Sequence, residues 1–216
     1  MKQNYFVIIA AVAMVLIFAA GGYLYKSQQS QTQAQLAGQN NEALIRPYSF
    51  RSGNPDARVT LVEFMDPACS TCRAFHPLVK KLLAEHKGKV NYVIRYAPFH
   101  QGSDQILKIL EAAKKQDIYE PVLDLIFETQ PYWAVHHKAQ PEILWKYLEQ
   151  AKFDVARLRQ DMSDPAIAKI VEQDLADARR LGVQKTPSYF VNGKPLVRFG
   201  YEQLRTLVKA EVARSY

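Results

Sequence analysis

The pair Cys69-Ser70-Thr71-Cys72 constrains this chain more than any other feature, because these are the only two cysteines in 216 residues. Ahead of them, Val59 to Met65 reads as a buried strand. Behind them, Ala74, Phe75, Leu78, Val79, Leu82 and Leu83 recur at the spacing of a helix's apolar face. A strand that delivers C-x-x-C to a helix start is the setting in which two thiols make a reversible disulfide. The helix N-terminus offers partial positive charge and free N–H groups, which favour the Cys69 thiolate. A purely structural bridge across so short a loop restrains little chain entropy, so redox chemistry is the stronger reading.

Tyr5 to Tyr25 is almost wholly apolar and carries no charge, which is long enough to cross a bilayer as a helix. Lys2 before it and Lys26 after it leave only a slight positive-inside bias, toward a cytoplasmic N-terminus. The small residues Ala19-Ala20-Gly21-Gly22 allow a cleavable signal as the rival reading, but there is no clear A-x-A site, and a retained anchor is preferred. Either way the chain is expected to be exported. Ser27 to Asn41 is Gln-rich and uncharged and reads as a flexible tether. The expected organisation is therefore an anchor or uncleaved signal over 1–26, a flexible linker over 27–46 and a folded domain over 47–216. The formal net charge of +7 is scattered without a dense run, so no nucleic-acid partner is expected.

Within the domain, Val59 to Met65 is apolar on both faces apart from Thr60 and Glu63, as suits a central strand covered on both sides. Val90 to Ala97 repeats the theme. The helix between them supplies a crossover for parallel pairing. From Ser103 to about Leu181 the chain reads mainly helical, with Asp164-Pro165 opening its last helix and Gly182 ending it. Ser188 to Val191 reads as a strand. Asn192-Gly193 marks a tight turn, Leu196 to Phe199 is expected to return as the partner strand, and an amphipathic helix over 201–212 closes the domain.

This ordered set resembles the thioredoxin fold, an α/β fold, and the helical block over about 103–181 resembles the inserted helical domain of its DsbA-like branch. Three separated signals carry the resemblance: Cys69-Ser70-Thr71-Cys72 after a strand, Pro77 in the following helix, and Thr186-Pro187 before the terminal hairpin. The resemblance implies that Cys69 is the nucleophile and Cys72 the resolving thiol of a redox-active disulfide. It implies that Thr186-Pro187 is a cis-proline loop whose backbone pairs with an extended substrate. Ser70 and Thr71 stand where many DsbA-like oxidases carry Pro-His, and they are candidates for tuning the Cys69 sulfur. Glu63 shares a strand face with Leu61 and Met65. A buried carboxyl there has a raised pKa and suits proton exchange with Cys72, and DsbA-like proteins often carry an acid at this place. Asp66 is expected to cap or turn the chain.

The leading expectation is an exported, membrane-tethered thiol–disulfide oxidoreductase acting on cysteines of periplasmic or other extracytoplasmic proteins, with no cofactor. Whether it oxidises, isomerises or reduces is left open, because direction depends on reduction potential and partner. A quinone-coupled membrane oxidase or a membrane thiol reductase is the implied recycling partner. The alternative is a Cu(I)- or zinc-handling module using the same two thiolates, with Met65 as a nearby thioether, although two thiolates do not complete a zinc site. A peptide-binding adaptor with a dormant thioredoxin fold is the third reading. His76, His86, His100, His136 and His137 show no closed ligand spacing and read as surface residues. Tyr132-Trp133 reads as core before it reads as a peptide groove.

Overall fold

The computed structural model describes residues 2–136 and 138–216, with side chains for Ile9 and from Ala11 onward. The chain runs α1 (Lys2–Gln39), α2 (Asn41–Leu44), β1 (Phe50–Gly53), β2 (Val59–Met65), α3 (Ser70–Glu85) and β3 (Val90–Tyr96). Then come α4 (Ser103–Lys115), α5 (Tyr119–Trp133), β4 (Ala134–Val135), β5 (Lys138–Ala139), α6 (Pro141–Gln150), α7 (Val155–Met162) and α8 (Pro165–Arg180). The chain closes with β6 (Ser188–Val191), β7 (Lys194–Pro195) and α9 (Tyr201–Ser215).

Five strands form one sheet in the order β1-β3-β2-β6-β7. β2 and β3 are parallel, as their helical crossover requires, and the remaining pairs are antiparallel. Side chains alternate across the central strands, so each face has its own core. Leu61, Met65, Tyr92, Ile94 and Tyr96 pack on one face with residues of α3, α4, α5 and α9. Val62, Phe64, Val93 and Ala97 pack on the other with Ala37, Ala43, Leu44, Ala178 and Leu181. In the helical block, Asp154 and Asp164 cap α7 and α8 by accepting from Arg157 N and Ala166 N, each at 2.9 Å.

Three expectations meet a different structure. Among the described residues no helix is long and apolar enough to cross a membrane, so the expected N-terminal membrane span is not supported. The stretch that reads as a flexible tether is helical as far as Gln39. Its Gln, Ala and Leu residues are good helix formers. Gln33 also donates to the Gly182 carbonyl at 2.8 Å, and Ala37 is buried. The return strand expected over 196–199 is limited to Lys194–Pro195, with Leu196 N still bonding Tyr189 O at 2.9 Å. Beyond it Val197 and Phe199 are exposed.

Candidate functional site

β2 ends in the core at Met65, and the chain must turn sharply to start α3 at Ser70. Asp66 holds that turn. Its carboxylate is fully buried; Oδ1 accepts from Ala68 N (2.9 Å) and Ser103 Oγ (2.6 Å). Oδ2 accepts from Phe99 N (2.8 Å) and His100 N (2.9 Å), and lies 2.7 Å from His100 Nδ1. The Asp66 carbonyl accepts from Cys69 N at 3.0 Å. From α5, Gln130 Nε2 reaches Pro67 O at 2.6 Å and Cys69 O at 3.0 Å. The turn before the cysteines is thus tied to α4, α5 and the loop after β3. The hydrogen bond to Asp66 also raises the His100 pKa, against the effect of burial.

Cys69 is the N-cap residue of α3, with extended backbone, and Cys72 follows within the first turn. Both are free thiols. The Cys69 pKa is lowered to about 5, chiefly by a hydrogen bond from Cys72. Burial opposes the shift, while hydrogen bonds from Thr186 and from the backbone N–H groups of Cys72 and Thr71 add to it. As a thiol, Cys69 Sγ can instead donate to Thr186 O, 3.2 Å away. Cys72 is completely buried, and its pKa is pushed well above the ordinary thiol value by burial first and by its hydrogen bond to Cys69 second. Two identical side chains three residues apart therefore hold their protons with opposite preferences.

Glu63 sits on the same sheet face as Leu61 and Met65, only 4% exposed. Burial raises its pKa to about 7, and a hydrogen bond from Tyr92 Oη to Oε2 partly offsets that rise. Glu63 and Cys72 influence each other electrostatically through the core. The Thr186-Pro187 bond is cis and leads directly into β6. Tyr189 and Phe199 flank Phe75 of α3, with ring centroids 6.0 and 4.6 Å away, which joins the terminal hairpin to the cysteine helix.

The structure therefore brings Cys69, Cys72, Glu63, Thr186 and Pro187 to one end of the sheet. Ser70 is exposed and Thr71 half-buried, and Thr71 reaches the Cys69 sulfur through its backbone N–H rather than its hydroxyl. Two histidines that read as surface residues have partners. His100 meets Asp66, and His76 Nε2 lies 2.6 Å from Asp124 Oδ1. His137 lies outside the described residues. Among the described residues no group of three or more His, Cys, Asp or Glu side chains is placed to hold a metal ion. Trp133 is core, while Tyr132 is exposed and stacks on Tyr147.

Residues 46–210 match the family model described as Thioredoxin. Among solved structures, the chain is similar to a thioredoxin-like oxidoreductase from Silicibacter pomeroyi DSS-3, with 28% identity and a TM-score of 0.69, covering 82% of this chain and 99% of that one. Among curated proteins, it is 29% identical to a probable disulfide bond formation protein D of Bacillus anthracis, over 75% of this chain and 77% of that protein. It is also 33% identical to the Na(+)/H(+) antiporter NhaA of Herminiimonas arsenicoxydans, over 75% of this chain but only 25% of the antiporter. The chain thus spans about a quarter of the length of the antiporters it matches. With the match running through β2, the C-x-x-C turn and the cis-proline loop, the chain belongs to the Thioredoxin family.

Proposed function

We propose that this chain is a thiol–disulfide oxidoreductase that exchanges disulfides with cysteine-containing protein substrates through Cys69 and Cys72. The observation that carries the reading is the split between a Cys69 thiol lowered to about 5 and a Cys72 thiol raised well above its ordinary value. Starting from the Cys69–Cys72 disulfide, a substrate thiolate attacks Cys69 Sγ. A new sulfur–sulfur bond forms there as the Cys69–Cys72 bond breaks. Cys72 leaves with the electron pair and takes up a proton, and Glu63, poised near neutrality, is the group proposed to exchange it. A second substrate thiolate then attacks the substrate sulfur of the mixed disulfide and expels Cys69. The substrate is oxidised by two electrons and the protein is reduced.

A low leaving-group pKa speeds that last step and stabilises the reduced protein, so oxidation of substrates is the favoured direction. Backbone N–H groups and Cys72 supply the stabilisation that no histidine between the cysteines provides. Thr186, with its carbonyl beside Cys69, is the proposed pairing edge for the substrate main chain, and Pro187 shapes that edge. Export is proposed from the uncharged, apolar run over 5–25. A membrane oxidase is then the class of partner that would restore the disulfide.

Equilibration of the full chain with glutathione buffers tests this. The expected result is a two-electron couple more oxidising than about −200 mV. The absorbance of the Cys69 thiolate should fall with a midpoint near pH 5 as the solution is acidified. Cys69→Ser is expected to abolish exchange, whereas Cys72→Ser should still form the mixed disulfide and accumulate it. The absence of any reversible couple would overturn the reading.

A further inference from the structure

All of α1 lies outside the 46–210 span that matches the family, yet its end is built into the domain. Ala37 is buried with Leu181, Val183 and Phe190. Four residues earlier, Gln33 bonds the carbonyl of Gly182, whose left-handed φ of +68° favours glycine. A Cβ there would lie 3.6 Å from both Gln33 and Leu36, so α1 runs in contact with the backbone at this point. From Gly182 the chain proceeds within four residues to Thr186. On α1, Gln29 precedes Gln33 by one turn and shares its face. Between Gln29 and Gln33 on one side and Lys185 and Pro187 on the other lies a cavity of about 150 Å³, with Leu196 and Phe199 also lining it.

We propose that this cavity receives the side chain beside the reacting cysteine of a substrate peptide, and that Gln29 and Gln33 help to select it. The proposal rests on the oxidoreductase reading above and assigns its substrate specificity to a helix outside the family's matched region. Lys185 and Pro187, which line the cavity, flank Thr186 in the chain, so a substrate main chain paired along Thr186 would run beside it. A cavity of about 150 Å³ has room for one side chain. Leu196, Pro187 and Phe199 suit an apolar stem. The two amides and the Lys185 ammonium suit an acceptor or an acidic end, and they disfavour a second cation. The chemistry is that of an extended segment with Glu or Gln next to its cysteine, and Lys or Arg is rejected.

The test uses the oxidised full chain in detergent micelles and three reductants. Two are dithiol peptides identical except for Glu or Lys beside the attacking cysteine, and the third is dithiothreitol. The Glu peptide should react about five-fold faster than the Lys peptide, the scale of one partly exposed charge contact. Gln29→Ala should lower the ratio of the Glu-peptide rate to the dithiothreitol rate about five-fold, the scale of one hydrogen bond. Gln29→Lys should widen the preference for Glu, and Gln33→Ala should lower the peptide-to-dithiothreitol ratio as Gln29→Ala does. Equal rates for the two peptides, or ratios that none of the three variants moves, would overturn the proposal. Failure of all three thiols to reduce the protein would instead overturn the oxidoreductase reading.

Discussion

Two buried acids on opposite sides of the central sheet, Asp177 and Glu63, are treated in opposite ways. On the face away from the cysteines, Arg95 of β3 is completely buried between Asp174 and Asp177 of α8, with Nη2 2.6 Å from Asp174 Oδ1 and 2.7 Å from Asp177 Oδ2. Arg46 adds two bonds to Asp177 at 2.7 and 2.8 Å, and Tyr48 adds one to Asp174 at 2.8 Å. Burial works against the Asp177 charge, but Arg46 and Arg95 more than offset it and hold its pKa below the ordinary value. On the cysteine face, Glu63 has the tyrosines Tyr92 and Tyr189 beside it and, among the described residues, no bonded cation, and burial takes its pKa up to about 7. A buried acid with a cation partner is a fixture of the fold. A buried acid without one can gain and lose a proton near neutral pH, which is what a thiol-exchange site can use.

Breaking the paired side should cost most. Arg95→Met leaves Asp174 buried without its guanidinium, and Asp177 with Arg46 as its one remaining bonded cation among the described residues. Loss of one member of such a network costs about 3–5 kcal/mol. The expected result is a large drop in the denaturant midpoint, with the Cys69 titration of the protein that remains folded still near pH 5. A shift in that titration as large as any caused by changing Glu63 would mean that the two faces are not independent.

Glu63→Gln removes the proton from the other side. In the wild type, the folded pKa of about 7 lies above the usual 4.5, so ionisation is harder in the folded state. Glu63 therefore leaves stability untouched at pH 4 and lowers it progressively as pH rises from about 4.5 to 7, with the full loss in place above that. The oxidised protein isolates this effect, because neither sulfur titrates in it. There the variant should match the wild type at pH 4 and exceed it at pH 8 by up to roughly 3 kcal/mol. The slope of stability against pH between those values should flatten. The pH–rate profile for opening the disulfide should also lose its inflection near 7. A variant whose stability parallels the wild type at every pH would show that Glu63 ionises as easily folded as unfolded.

The asymmetry between the faces was only half legible in the sequence. Glu63 stood out because strand periodicity puts it on a face with Leu61 and Met65. The ordered signals around Cys69, Cys72 and Thr186-Pro187 carried the fold with them. Arg95 gave no comparable signal, since its partners lie 79 and 82 residues away on α8. An arginine inside the apolar run Val93-Ile94-Arg95-Tyr96, together with two aspartates three apart on a later helix, was the available hint. Asp66 read as a turn residue, which it is, but its bonds to Ser103 and His100 depend on how α4 packs behind the cysteines. Composition misled at 27–41, where a polar, uncharged stretch resembles a tether until α1 meets Gly182.

The smallest change tests what sets the Glu63 proton affinity. The Tyr92 hydroxyl donates to Glu63 and favours the carboxylate, opposing the larger effect of burial. Tyr92→Phe keeps the ring in the core and deletes only that donor. The Glu63 pKa should then move further above 7, by about one unit or less for a bond worth about 1 kcal/mol. The inflection in stability against pH of the oxidised protein moves with it, toward higher pH. The overall cost should be small at pH 5, where Glu63 is protonated in the folded state, and larger at pH 8, where the donor's partner is charged. An inflection that moved down would mean that the carboxyl donates to the tyrosine oxygen, and that Tyr92 holds the proton on Glu63 instead of drawing it off.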